Sequence, residues 1–110
     1  MAFDGAHGER SGALAVSPMS DTTLKLVGLR GATTCAANTT TAIQAAVRDL
    51  IDALVAENGL SPQQIVSVTF SVTADLDACF PAAVARQRPG WDSVALLDCQ
   101  QMAVQGDLER

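Results

Sequence analysis

The residue with the clearest capacity for chemistry is Arg30, a single cation among small and apolar residues in segment 26–34. In an extended strand alternate side chains point to opposite faces, so Arg30 shares a face with Leu26 and Gly28. An unpaired charge on a largely apolar strand is strongly disfavoured, so the guanidinium needs an anionic partner. Two interpretations follow. Arg30 snorkels or pairs with an internal carboxylate, or its planar fork binds the carboxylate of a ligand.

Residue sets for covalent or metal-assisted catalysis are missing from the sequence. The single histidine, His7, lies in the N-terminal segment, so Ser-His-Asp and Cys-His catalysis are not expected. The His and Cys residues show no metal-ligand spacing, and there is no Gly-rich phosphate-binding motif. What remains is Arg30, the Phe80-Pro81 corner and the polar segment 98–101. This set can bind a small dianion and stabilise charge without a cofactor.

Bulk properties narrow the class of protein. A chain of 110 residues with 48% hydrophobic residues corresponds to one domain with a packed core. The net charge of −5 argues against a nucleic-acid-binding or anionic membrane surface. The three cysteines lack CxxC spacing, which favours reduced thiols and a cytoplasmic location, and Cys79 and Cys99 are expected to be small core residues. No apolar run approaches the roughly 20 residues of a membrane span.

Periodicity and capping patterns predict the order of the structural elements. Residues 1–22 are predicted to be a disordered leader, with Met19 as an alternative start, and residues 23–110 to form the domain. The predicted elements are strand 24–31, a helix capped by Asn38 and ending at Asn58-Gly59, a turn at 61–64, strand 65–72, helix 82–88 and strand 93–97. The β-α-β-α-β order predicts an α+β sandwich, and its edge strands favour oligomerisation.

Several motifs follow one another in a recognisable order from residue 24 to the end of the chain. They are Gly28-Leu29-Arg30-Gly31-Ala32-Thr33-Thr34, Asp75-Leu76, Cys79-Phe80-Pro81-Ala82-Ala83-Val84-Ala85-Arg86, Gly90-Trp91, and Leu97 to Met102 with Val104 and Gly106. In this order and spacing the chain resembles the monofunctional AroH-type chorismate mutases, known from Bacillus.

The resemblance implies a function and an assembly. Members of this family rearrange chorismate to prephenate, an intramolecular Claisen reaction on the route to phenylalanine and tyrosine. They need no nucleophile, metal or cofactor, because the enzyme holds the reactive conformer and stabilises charge on the ether oxygen. The resemblance also implies a homotrimer with a pseudo-barrel core and active sites between subunits.

The resemblance assigns roles to individual positions. Arg30 corresponds to the arginine that binds a substrate carboxylate, and Phe80 and Ala82 correspond to pocket walls. The segment that meets the ring and its hydroxyl comprises Leu97, Asp98, Cys99, Gln100 and Gln101. Arg30 and Gln101 are the expected catalytic residues.

This sequence departs from the family pattern at several positions. Gln101 stands where glutamate is frequent, Asp98 where a cysteine is known, and Ala83 where a lysine is common. Asp98 is therefore a candidate to supply the charge that Gln101 lacks. The chain ends at Arg110, before the family's second essential arginine, C-terminal strand and tail, so a shortened family member is expected.

Two further functions stay open at this point. One is a non-catalytic trimeric domain that binds a small carboxylate. The other is an α+β interaction module in which Arg30 closes an internal salt bridge.

Overall fold

A four-stranded mixed sheet with two helices on one face forms the fold. The computed structural model describes residues 2–9 and 25–106. In chain order the elements are β1 (Ala2–Glu9), β2 (Lys25–Ala32), α1 (Thr40–Asn58), a 3₁₀ turn (Pro62–Gln64), β3 (Ile65–Val72), α2 (Pro81–Arg86) and β4 (Ala95–Gln100). The strand order is β2-β1-β3-β4, with β1 antiparallel to both neighbours and β3 parallel to β4. The predicted α+β class is confirmed.

Helix α1 follows from its apolar periodicity and its caps. Its buried stripe faces the sheet and consists of Ile43, Ala46, Val47, Leu50, Ile51 and Leu54. Gly59 ends the helix with a left-handed φ of 61°, and its N–H donates to the carbonyl of Val55, as predicted. The predicted N-cap was wrong by one residue, because the Thr39 hydroxyl, not Asn38, accepts from the Ala42 N–H at 3.1 Å.

Strand β3 has the predicted bounds and alternation. Val68 and Phe70 are fully buried beneath the helices, whereas Ser67, Thr69 and Ser71 lie on the opposite face. Strand β4 begins and ends later than predicted and runs to Gln100, because its backbone stays in parallel register with β3 as far as Val72. Polar residues that were expected to leave the strand therefore belong to it.

The segment that follows α2 packs against the core and against α1. Trp91 is 3% exposed, and the Arg88 guanidinium lies 5.6 Å from its ring centroid. Arg88 also donates to the Asp52 carboxylate on α1 at 2.8 Å. The predicted Ser61–Gln64 turn is confirmed, since the Ser61 N–H donates to the side chain of Gln64.

Strand β1 differs from the disordered leader predicted for residues 1–22. Ala2–Glu9 lies between β2 and β3 and pairs with both along its length. Pairing uses backbone N–H and C=O groups, so a Gly-rich segment of low strand propensity can still be incorporated where two flanking strands present unpaired edges. Residues 10–24, including Met19, lie outside the described part of the chain.

Candidate functional site

Strand β2 presents Arg30 on the face of the sheet that the helices do not cover. Exposure alternates along the strand, with Leu29 half-buried and Leu26 and Arg30 exposed. A Cβ atom added to Gly31 would lie 2.9 Å from Leu50 Cδ1, whereas one added to Gly28 would have no neighbour within 4 Å. The missing side chain of Gly31 therefore admits α1, and Gly28 leaves open space on the face that carries Arg30.

The register of the sheet relates Arg30 to residues on the other strands. Asp4 is the partner of Arg30 in β1 and of Thr69 in β3, and Thr69 in turn pairs with Leu97 in β4. Directly paired residues share a face, so Arg30 and Leu97 lie in one row on the open side. Three inter-strand spacings of about 4.8 Å put their backbones about 14 Å apart. One subunit therefore does not bring these two predicted site residues into contact.

The predicted segment 97–101 is split between the two faces of the sheet. Leu97 and Cys99 lie on the open face and are exposed, whereas Asp98 turns toward the helices. The exposure of Cys99 corrects the expectation that it is a core residue, because its side chain lies on the face of the sheet opposite α1 and α2. The N–H of Gln101 donates to the Val72 carbonyl at 2.7 Å, which extends the pairing of β4 with β3 by one residue.

Asp98 joins β4 to the start of α2. Its Oδ1 accepts a hydrogen bond from the Ala82 N–H at 3.0 Å. Burial raises the pKa of this carboxyl above its usual value, and the Ala82 bond and the Arg86 charge oppose that rise. Phe80, the N-cap residue of α2, has no side-chain acceptor, so Asp98 provides the cap from a distant part of the chain.

Phe80 forms an exposed corner above buried neighbours. Its side chain is 71% exposed, whereas Pro81 and Ala82 are buried. Phe80, Ala82 and Asp98 are thus gathered at the β4 edge of the sheet. Cys79, the preceding residue, is half-buried, and burial raises the pKa of its thiol, with smaller contributions from Cys35 and Asp98.

Asn38 connects two loops and is not the helix N-cap that the sequence predicted. Its Oδ1 accepts from the N–H groups of Asp77 and Ala78 at 3.0 Å each, and its Nδ2 donates to the Asp77 carboxylate at 2.7 Å. These bonds tie the loop before α1 to the loop before Phe80. A cap and a clamp require the same small polar side chain next to a helix start, so local sequence could not distinguish them.

Two concave surfaces among the described residues lie away from these positions. A cleft of about 290 Å³ between α1 and the end of α2 is lined partly by Arg48, Gln87 and Arg88. Another, of about 150 Å³, lies beside Trp91. Neither is lined by Arg30, Phe80 or Leu97.

Within residues 2–9 and 25–106, no group of three or more His, Cys, Asp or Glu side chains could hold a metal ion. In the same residues, no helix is both long and apolar enough to cross a membrane.

Comparisons with known proteins agree with this arrangement. The family model described as chorismate mutase type I matches residues 26–110. The chorismate mutase AroH of Bacillus subtilis is 36% identical over 83 residues, which cover 76% of this chain and 65% of that protein. The Thermus thermophilus AroH enzyme is 40% identical over 84 residues, covering 76% of this chain and 68% of that enzyme.

A solved structure gives the same result. A chorismate mutase from Clostridium thermocellum matches with a TM-score of 0.66 and 43% identity, covering 70% of this chain and 68% of that one. The chain thus spans about two thirds of the length of its relatives. The family-model match over residues 26–110 includes β2 from Leu26 onward, both helices, β3 and β4. It therefore includes every predicted site residue. The chain belongs to the chorismate mutase type I family.

Proposed function

We propose that this protein is a chorismate mutase that rearranges chorismate to prephenate in the route to phenylalanine and tyrosine. The observation that carries the proposal is the position of Arg30, exposed on the open face of β2 inside the family-matched region. A pericyclic rearrangement requires a bound conformer and a stabilised charge, and neither demands a nucleophile.

Arg30 supplies the fixed positive charge. A guanidinium binds a carboxylate through two parallel hydrogen bonds, which sets the orientation of the substrate as well as its affinity. Such a charge-assisted bond contributes about 1.5–3 kcal/mol. Gly28, two residues away on the same face, leaves room for a ligand beside the arginine.

The β4 edge supplies the apolar and polar pocket walls. Phe80 and Leu97 are 71% and 60% exposed, which is unusual for large apolar side chains and suits contact with a substrate ring. Ala82, Cys99, Gln100 and Gln101 are the further proposed members of this wall, and Gln101 is the residue proposed to contact the ring hydroxyl. Asp98 is a predicted member of the same wall, although its Oδ1 already accepts from Ala82.

The separation of Arg30 from this wall supports a site shared between subunits. β2 and β4 are the two edge strands of the sheet, about 14 Å apart, so one copy contributes the arginine and another the wall. Joining unlike edges of identical chains is a head-to-tail contact, and such contacts form a ring when the rotation between subunits closes, as the proposed homotrimer requires. Exposed Leu26 and Leu97 give the open face apolar contact area. Chorismate and prephenate are the small-molecule partners, and the proposed location is the cytoplasm.

The test is turnover of chorismate by the purified chain, with prephenate identified as the product. Arg30→Ala should lose activity, whereas Arg48→Ala, which removes an exposed arginine from α1, should not. Comparable turnover by wild type and Arg30→Ala would refute the role of Arg30.

A chain extended at its C terminus with the downstream coding sequence belongs in the same assay. Activity only in the extended chain would show that catalysis needs the family's C-terminal segment. Binding of prephenate without turnover in either chain would favour the non-catalytic carboxylate-binding domain.

A further inference from the structure

The start of α2 has an unusual hydrogen-bonding requirement. Helix α2 has only six residues, and its first turn contains Pro81, which has no N–H, followed by Ala82, which is 6% exposed. A buried N–H without an acceptor is costly, so Ala82 needs a partner that its own segment does not provide. Asp98 provides it at 3.0 Å.

This bond connects two parts of the proposed pocket wall, namely the segment at Phe80 and strand β4. Ala82 follows the exposed Phe80 by two residues, and Asp98 lies between Leu97 and Cys99, whose side chains face the open side. Asp98 itself pairs in register with Phe70, which is fully buried in the core. The carboxylate therefore anchors the Phe80 corner to a rigid part of the sheet.

We propose that Asp98 is a positioning residue, whose side chain holds the Phe80–Ala82 corner against β4 and does not contact the substrate. The inference rests on the proposed function, because the corner and β4 are the walls of the proposed pocket. It replaces the hypothesis that Asp98 supplies the negative charge that Gln101 lacks. The two roles differ in what they require: an anchor needs an acceptor oxygen, whereas a charge donor needs a carboxylate.

Two substitutions separate these requirements. Asp98→Asn keeps an oxygen in place to accept from Ala82 but removes the charge, whereas Asp98→Ala removes both. Asp92→Ala is the matched control, since it removes an exposed carboxylate from the same stretch of chain. Amide hydrogen exchange at Ala82 and kcat and KM for chorismate are measured for each variant, in whichever chain length is active.

Asp98→Ala should speed exchange at Ala82 at least about fivefold, which is the effect of losing one helix cap. It should also lower kcat/KM about tenfold or more, because a displaced wall misplaces the substrate. Asp98→Asn should keep Ala82 exchange within about twofold and kcat/KM within about threefold of wild type, on the scale of a retained hydrogen bond.

Equal losses of kcat/KM in the Asn and Ala variants would overturn the proposal, because the charge itself would then be required. Unchanged Ala82 exchange in Asp98→Ala would also overturn it. Should Asp98→Ala fail to fold, Asp98→Asn against wild type still decides between anchor and charge. The exchange measurement needs no turnover, so failure of the proposed enzymatic function is distinguishable from failure of the anchor.

Discussion

The two edges of the sheet carry different halves of the proposed site and are built differently. At the β2 edge, Arg30 extends from one face of a regular strand. The other face packs against α1, which comes close to the backbone at Gly31. At the β4 edge, the Phe80 corner is held by bonds from distant residues, namely Asn38 from the loop before α1 and Asp98 from β4.

The difference indicates that the β2 edge provides the charge of the proposed site and the β4 edge provides its shape. A guanidinium on a long side chain can adjust to a carboxylate, so its strand needs only a clear face. A pocket wall must keep its position to orient a substrate, so the corner needs fixed backbone. Each edge can therefore be perturbed separately.

The largest expected effect is on the charged edge. Arg30→Ala should lower kcat/KM for chorismate about 10- to 150-fold, because it removes a charge-assisted bond of about 1.5–3 kcal/mol to the bound carboxylate. Arg30→Lys is the informative companion. An ammonium cannot form the two-pronged contact, so turnover recovered to wild-type level by lysine would show that charge alone suffices.

Two glycines on β2 test the covered and open faces of that edge. Gly31→Val should destabilise the fold by about 1–3 kcal/mol, because its Cβ would lie 2.9 Å from Leu50 Cδ1. Gly28→Val, on the open face, should change stability by less than about 0.5 kcal/mol. Urea unfolding of the two variants compares them directly, and similar losses would mean that the open face is covered at Gly28, for example by a second subunit of the proposed assembly.

Loss of the Asn38 hydrogen bonds, which hold the loop before Phe80 at the β4 edge, has a smaller expected effect. Asn38→Ala should cost about 1 kcal/mol, since it removes three hydrogen bonds of an exposed side chain. Amide exchange at Ala78 should accelerate in this variant. Asn58→Ala is the control, because that side chain bonds only within its own helix, to the Leu54 carbonyl. Unaltered exchange at Ala78 would show that the Asn38 bonds do not hold the loop.

The smallest expected effect is the change of folding stability with pH that arises from the Asp98 carboxyl. The pKa of Asp98 is raised in the folded chain, so the folded chain binds this proton more tightly than the unfolded chain does. The stability that this group contributes is present below the usual aspartate pKa and is lost as pH rises through the folded pKa.

Asp98→Asn should therefore raise the melting temperature at pH 7, by less than about 4 °C because the carboxyl is only partly buried. The gain over wild type should shrink as the pH falls through the raised pKa of Asp98 and should be absent below the ordinary aspartate range. Thermal unfolding across pH measures both, with Asp92→Asn as the exposed control. A gain that grew toward acid pH would contradict the sign of the shift.

Much of the fold was predictable from local pattern. The stripe of α1, its end at Gly59 and the alternation of β3 each depend on residues close in sequence, so the period itself identifies them. The same holds for the orientation of Arg30, since strand geometry decides its face once the strand is recognised. Its proposed role came from family resemblance added to that geometry.

Other features depend on partners that are remote in the chain. Asp98 looked like a member of a polar segment, but its acceptor role exists only because α2 starts beside β4. Asn38 has the composition of a helix cap and serves instead as a clamp on a loop 39 residues away. β1 carries little strand pattern and is ordered by its two neighbours.

The amino-acid sequence by itself determined the buried face of α1, the strand that bears Arg30, and the family, because these depend on local periodicity and on residue identity. Only the tertiary structure decided that Asp98 faces α2, that Asn38 holds the Phe80 loop, and that Arg30 and Leu97 lie at opposite edges. The physical reason is that hydrogen bonds and strand order join segments whose separation in the chain carries no record of their proximity.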